Sequence, residues 1–218
     1  MTPPMVEYPL DSFFSTSYNL ELLGTGDLLP QVEWNTTKNR SKIKEVYLQL
    51  LDSLPKVEWR HIMSRNSARP KAIFHMWLQI HNRLLTVDRL LKWGMQVEPK
   101  CVFCKGVDET RDHIFFECHY AQQVWYKLMR WLKIQWPAHC SWGLQYLLIL
   151  ARTRGKSSQA NVLKMVYSEF GFAIWNERNK RVFEDKEQNA ESLAREIACI
   201  CNVRTVVRSR AYLQSCIF

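Results

Sequence analysis

The sequence has little glycine, no paired aspartates and no long apolar run. Only seven of its 218 residues are glycine, which argues against a loop-rich all-β protein. No Asp-Asp dipeptide occurs, although nucleotide polymerases need paired aspartates to hold catalytic metals. The longest apolar run, from Leu144 to Ala151, is interrupted by Gln145 and is too short to cross a bilayer. These absences favour a mainly helical protein that does not polymerise nucleotides.

Other catalytic signatures are missing as well. There is no His-Glu-x-x-His, and Lys100 separates Pro99 from Cys101, which breaks the Pro-Cys-x-x-Cys part of the zinc deaminase pattern. Gly24-Thr25-Gly26 lacks the third glycine of a phosphate-binding loop. We therefore expect no enzymatic activity and no small-molecule substrate.

Disulfide bonds are not expected. The number of cysteines is odd, seven, and three of them have the spacing of metal ligands. The N-terminus shows no basic-then-apolar signal. An intracellular chain with no membrane partner is predicted. No compact basic run marks nuclear import, so the choice between nucleus and cytoplasm stays open.

One cluster has the spacing of a zinc site. Cys101, Cys104, His113 and Cys118 form a C-x2-C-x8-H-x4-C pattern, and three thiolates with one imidazole complete a tetrahedral zinc shell. His119 is a competing imidazole, and four unconnected residues are the plain alternative, since free cysteines often pack as small apolar side chains. A full set of four ligands leaves no open position, which predicts one structural rather than catalytic Zn²⁺.

The spacing within the second half of this pattern needs a special backbone. On a regular α-helix, five positions rotate a side chain by roughly 140° away from its partner, so His113 and Cys118 would diverge. We expect a short helical turn from about Arg111 that breaks or tightens near Glu117, before a longer helix. Lys105-Gly106 is the expected tight turn behind the first two cysteines.

Helical periodicity and capping signals divide the rest of the chain. Pro70 suits the first turn of a helix, and Thr86, Asp88 and Gly94 bound a short one. A long helix is predicted from about residue 162 toward 183, and Asn189 caps a final helix whose inward residues include Val207. The last two helices are expected to form a hairpin, after a basic linker from Arg152 to Ser158.

The net charge of +9 is unevenly distributed. Residues 1–37 carry five acidic and no basic side chains, whereas residues 38–100 carry thirteen basic and five acidic ones. We predict an acidic, poorly ordered leader over 1–37, a helical zinc-binding domain over 38–140 and a C-terminal helical region over 141–218. A basic body favours an anionic partner such as nucleic acid, or is only a solvated surface.

The order of residues around the cysteines resembles a known family. The residues that carry the likeness are Arg69-Pro70-Lys71, Phe74, Trp77, Arg83-Leu84, Thr86, Asp88-Arg89-Leu90, Trp93-Gly94, Glu109, His113, Phe115-Phe116, Cys118 and Trp125. They are similar to the reverse transcriptase zinc-binding domain family of plant non-LTR (LINE-type) retrotransposon polyproteins. The likeness covers about residues 40–130, with a downstream segment at Trp175–Asn179 and Arg181–Phe183. It implies that the same four residues bind zinc. It also indicates an origin in a retrotransposon more firmly than it indicates any activity of this chain.

Three functions follow from these patterns. The first is a nucleic-acid-binding accessory module, for RNA or DNA, in which Trp93 or Phe103 stacks on bases. Its phosphate-neutralising residues would be Lys71, Arg83, Arg89, Lys92, Lys100, Lys105 and Arg111. The second is a protein-interaction domain that is stabilised by zinc, because small folds bury too little apolar surface to be stable alone. The third is a domesticated or decaying fragment without a selected activity.

Overall fold

The structure is a computed structural model that describes residues 57–216. Helices dominate this part of the chain, and its only β pairing is a single antiparallel bridge between Lys100 and Asp108. The helices are α1 (Arg60–Met63), α2 (Pro70–Ile80), α3 (Val87–Lys92), α4 (His119–Trp131), α5 (Trp142–Thr153), α6 (Ser158–Phe183), α7 (Ala190–Arg204) and α8 (Val207–Gln214), with a π-helical turn at His113–Glu117. The prediction of a mainly α protein with a cysteine-histidine knuckle is confirmed.

Helix α6 is the centre of the core. It is buried on most of its circumference, as expected for a helix surrounded by others, and Val166, Tyr167, Phe170 and Ile174 are fully buried. Helices α2, α4, α5, α7 and α8 all pack against it. The core includes side chains from both sides of residue 140, where a domain boundary was predicted. The predicted domain boundaries stay predictions.

Local signals explain where most of these helices begin. Pro70 is the first residue of α2, and Ser141, Ser157 and Asn189 cap α5, α6 and α7 through side-chain oxygens. Thr86 precedes α3 with an extended backbone, but its hydroxyl donates to Asp88 instead of capping the helix. Gly94 follows α3 with φ of +80°, a conformation that favours glycine.

Three expectations about the C-terminal half differ from the structure. Helix α5 runs to Thr153, so the connection to α6 is shorter than the predicted linker from Arg152. Helices α6 and α7 pack together as the expected hairpin, but α7 is not the last helix, because α8 follows it. Val207, predicted to face inward, is 81% exposed because α7 ends at Arg204 and α8 begins anew at Val207. The leader at 1–37 lies outside the described residues.

None of the helices within residues 57–216 combines the length and the apolar character needed to cross a membrane.

Candidate metal centre

The four predicted ligands meet in space. One ligand atom from each of Cys101, Cys104, His113 and Cys118 lies within 4.8 Å of all the others. The Sγ atoms of Cys101 and Cys118 are 3.9 Å apart, and Cys104 Sγ lies 3.3 Å from His113 Nε2. Tetrahedral ligands that are each ~2.3 Å from a zinc ion would be separated by about 3.8 Å. The donor set and its spacing therefore fit zinc.

His113, not His119, provides the imidazole. His113 is buried with its Nε2 toward Cys104. His119 is exposed, and its ring contacts the Gln123 amide instead. Cys101 and Cys118 are fully buried, whereas Cys104 is exposed, so the cluster lies at the edge of the core with one thiol toward solvent.

The first two ligands are carried by a tight turn closed by backbone hydrogen bonds. The Lys105 N–H donates to the Cys101 carbonyl at 2.8 Å, and the Cys101 N–H donates to the Val107 carbonyl at 2.8 Å. The hydrogen-bonded turn therefore spans Cys101 to Lys105, and the predicted turn at Lys105-Gly106 is a bend directly after it. Its positive φ of 55° falls on Lys105 and not on the neighbouring glycine. The Lys100–Asp108 bridge holds both ends of this loop together.

A π-helical turn positions the other two ligands. The Cys118 N–H donates to the His113 carbonyl at 2.7 Å, across five residues, and the chain becomes extended at Cys118. The wider turn reduces the rotation between residues five apart, so His113 and Cys118 face the same point. The predicted break before a longer helix is confirmed, but the turn widens where tightening was also expected. The Thr110 hydroxyl accepts from the His113 N–H and caps this turn.

The pKa values of the two buried thiols, Cys101 and Cys118, are shifted in opposite directions. A hydrogen bond with Cys118, together with burial, raises the pKa of Cys101. The same hydrogen bond lowers the pKa of Cys118. The pair therefore favours one thiolate at a place where zinc requires deprotonated sulfur.

Glu109 joins this centre to the rest of the fold, a role that sequence reasoning missed. Its carboxylate is 1% exposed and accepts from Arg178 of α6, with Nη2 at 2.9 Å and Nε at 3.2 Å. It also accepts from the Val87 N–H at the start of α3, at 3.1 Å. Both partners appear in the residues of the family resemblance, but nothing in the sequence pairs them.

The aromatic residue inside the C-x2-C loop is covered. The Phe103 ring stacks on Tyr120 with centroids 4.7 Å apart, and the Arg181 guanidinium lies 5.0 Å from the Phe103 centroid. Trp93 is 57% exposed, with the Arg89 guanidinium 5.4 Å from its ring centroid. Of the two aromatics suggested for base stacking, Trp93 is thus the accessible one.

The predicted phosphate-binding residues fall into two groups. Lys92, Lys100 and Arg111 form ion pairs with Asp88, Asp108 and Asp112, Arg111 also covers Trp142, and Arg89 donates to the Asn82 carbonyl. Lys71, Arg83 and Lys105 are exposed and have no ion pair within residues 57–216. Whether any of the seven contacts nucleic acid stays a prediction.

The comparison with known families agrees with this geometry. Residues 42–125 match the family model described as zinc-binding in reverse transcriptase. This match supports the resemblance to the reverse transcriptase zinc-binding domain family. No curated protein and no solved structure gives a significant match to the chain. The family match covers all four clustered residues, and none of the helices from α5 to α8.

Proposed function

We propose that the chain is a non-catalytic accessory module of retrotransposon origin that one structural zinc ion stabilises and that binds RNA or DNA. The observation that carries the zinc assignment is the complete Cys3His set, with all ligand atoms within 4.8 Å of one another. Four protein ligands leave no coordination position for water or substrate, which is the arrangement of structural zinc sites.

Metal content tests the zinc assignment. We expect one zinc per purified chain, and its loss in Cys104→Ser and in His113→Ala together with cooperative unfolding. Structural zinc contributes ~10–16 kcal/mol in apparent terms, so the effect of its loss should be large. The matched controls are Cys199→Ser and His119→Ala, because both residues are exposed and lie outside the cluster. A chain that folds normally without metal would contradict the assignment.

Charge and accessible side chains support nucleic-acid binding. The chain has a net charge of +9, Lys71, Arg83 and Lys105 are exposed around the zinc-binding domain, and Trp93 is more than half exposed, with Arg89 over one face of its ring. Cations that neutralise phosphates release counterions, so the affinity must fall as salt rises. Titration of labelled RNA and DNA oligonucleotides at two salt concentrations tests the proposal, and absent or salt-insensitive binding would contradict it.

A second candidate is a protein-interaction domain. Leu91, Trp93 and Met95 are each more than two-fifths exposed on α3 and the turn after it, and Leu85 is similarly exposed before α3. Apolar side chains gathered on a surface often mark a protein contact. Retained zinc, no affinity for nucleic acid, and capture of a partner that Trp93→Ser abolishes would favour this function. An insoluble or molten chain would favour a fragment without a selected role.

A further inference from the structure

A second basic surface lies away from the zinc centre, in a groove of about 930 Å³. Its walls come from α1 and the loop after it, the connection between α5 and α6, the first turns of α6, and the start of α8. Six cationic side chains line it: Arg60, Arg65, Arg154, Lys156, Lys164 and Arg208. We call this surface the basic groove.

The basic groove has no counter-charge of its own within the described residues. No aspartate or glutamate of residues 57–216 lines it, and none of its six cations forms an ion pair there. Several cations elsewhere are paired, as in Arg69–Glu169 and Lys127–Glu191. Like charges gathered in a concave surface focus the field and attract anions.

The positive charge of Lys164 in the basic groove lowers the stability of the folded protein. The residue is 6% exposed, lies among the core positions of α6, and still lines the groove. Burial, and secondarily the charge of Arg65, lower its pKa. Because the lowered pKa means that the folded state disfavours the ammonium, the charge destabilises the fold at neutral pH. An anion in the groove would offset that cost.

The form of the groove favours a chain of phosphates over a single one. The six cations are spread over four segments of the protein, so one phosphate cannot contact them all. No Phe, Trp or Tyr of the described part lines the groove, and its one aromatic ring is the half-buried imidazole of His61, whose Nε2 lies 3.1 Å from the Leu150 carbonyl oxygen. A positively charged groove that follows the backbone is one of the two features by which proteins hold single strands without sequence preference, the other being aromatic rings on which bases stack.

We propose that the basic groove binds the phosphodiester backbone of a single-stranded nucleic acid. This inference rests on the proposed function and assigns it to a different surface. Lys164 and Arg178 are fourteen residues apart on α6, about 21 Å along the helix axis, and Arg178 marks the level of the zinc centre. The strand would therefore be held mainly by residues beyond the segment that matches the family model, among them Arg154, Lys156 and Arg208.

The test compares two triple variants of the full zinc-loaded chain. The groove variant is Arg65→Gln/Lys164→Gln/Arg208→Gln, and the matched control is Arg130→Gln/Lys180→Gln/Arg210→Gln, three exposed cations outside the groove lining. Each lowers the net charge by the same amount. Fluorescence anisotropy with labelled oligouridine and oligothymidine, over a series of salt concentrations, gives the affinity and its salt dependence.

We expect the groove variant to bind roughly tenfold more weakly or worse, and the control to lose far less. The slope of log affinity against log salt concentration should become shallower by about 2, because each of the three lost phosphate contacts contributes about 0.7 to it. Lys164→Gln alone should unfold at the same or a higher temperature, which separates weaker binding from damage to the fold. The exposed pair Arg65→Gln/Arg208→Gln should weaken binding in the same direction.

The other outcomes overturn the inference in distinguishable ways. If the control loses binding and the groove variant does not, the proposed function stands and the basic groove is not its site. If both variants lose affinity equally, binding follows net charge alone, and no specific groove exists. If the unmodified chain binds neither oligonucleotide, the proposed function itself fails.

Discussion

At the scale of single residues, His75 is a buried histidine without a polar partner. It is 6% exposed, lies against the rings of Phe115, Phe172 and Trp175, and both of its ring nitrogens lack a hydrogen-bond partner within the described residues. Burial lowers its pKa from 6.5 to about 4. The imidazole is therefore neutral in the folded protein at physiological pH.

This residue makes stability depend on pH. Because the folded pKa is depressed, the unfolded chain takes up the proton first as the pH falls. The stabilisation is complete above about pH 6.5 and is lost progressively toward pH 4. Relative to His75→Leu, the wild-type free energy of unfolding should fall by about 2 kcal/mol between roughly pH 7 and pH 5. Urea unfolding of both proteins measures it, and a constant difference across this range would contradict the assignment.

At the scale of helices, Gly171 of α6 faces the side chain of Gln79 on α2. A Cβ atom on Gly171 would lie 2.7 Å from Oε1 of Gln79. Gln79 is fully buried, and both polar atoms of its amide lack a partner within the described residues. Gly171 thus leaves room for the buried amide of Gln79, although its position inside a helix costs about 1 kcal/mol relative to alanine.

Gly171→Ala should therefore destabilise the protein, because the added methyl group would collide with the Gln79 side chain. Overpacking costs about 1–3 kcal/mol and outweighs the gain in helix propensity, so we expect a net loss of about 1 kcal/mol. In a Gln79→Ala background the same change should become stabilising, because the obstructing amide is gone. Chemical unfolding of the four proteins gives the coupling, and additive effects would contradict it.

A second glycine, Gly143, provides the control for the double-mutant comparison of Gly171→Ala and Gln79→Ala. Gly143 lies in α5, and a Cβ atom there would have no neighbour within 4 Å. Gly143→Ala should raise the free energy of unfolding by about 0.5–1 kcal/mol, as helix propensity alone predicts. Destabilisation there would show that propensity is the wrong reference for these helices.

The helix starts could be predicted because they depend on residues that act on the adjacent turn of the chain. Pro70, Ser157 and Asn189 act through their own backbone or the next turn, so their effects can be recognised in the sequence. The five-residue spacing of His113 and Cys118 excluded a regular α-helix. Whether that helix tightened or widened was not predictable, since the π turn depends on packing in the fold.

Features made by distant segments could not be predicted. Glu109 and Arg178 are 69 positions apart, and the basic groove combines four segments between residues 57 and 208. No periodicity links such residues. Val207 shows the same limit, because the end of α7 interrupts the period that placed this residue inward.

At the scale of the whole molecule, buried ion pairs tie α6 to the segments before it. Arg178 pairs with Glu109 and Arg69 with Glu169, and both carboxylates are almost completely buried. Phe116 and Trp125 also pack on Tyr167 and Phe170 of α6. The zinc-binding segment thus shares its core and its buried charges with helices that the family match does not include.

Removing those helices should leave the zinc-binding segment unable to fold. A chain that ends after residue 140 leaves Glu109 without Arg178 and exposes the apolar faces of Phe116 and Trp125. Breaking a buried pair costs about 3–5 kcal/mol, and we expect Arg178→Met in the full chain to show a loss of that size. The truncated chain should lack cooperative thermal unfolding even with zinc, as circular dichroism would show.

Complementation distinguishes a missing core from a damaged chain. If residues 141–218 complete the core, their co-expression as a separate polypeptide should restore cooperative unfolding to the truncated chain, and Arg178→Met in that fragment should weaken the rescue. If instead the truncated chain unfolds cooperatively by itself with zinc bound, residue 140 marks a true domain boundary, as the sequence predicted. The contacts of α6 would then add stability to a domain that already folds, because neither Glu109 nor Trp125 would need its partner to reach the native state.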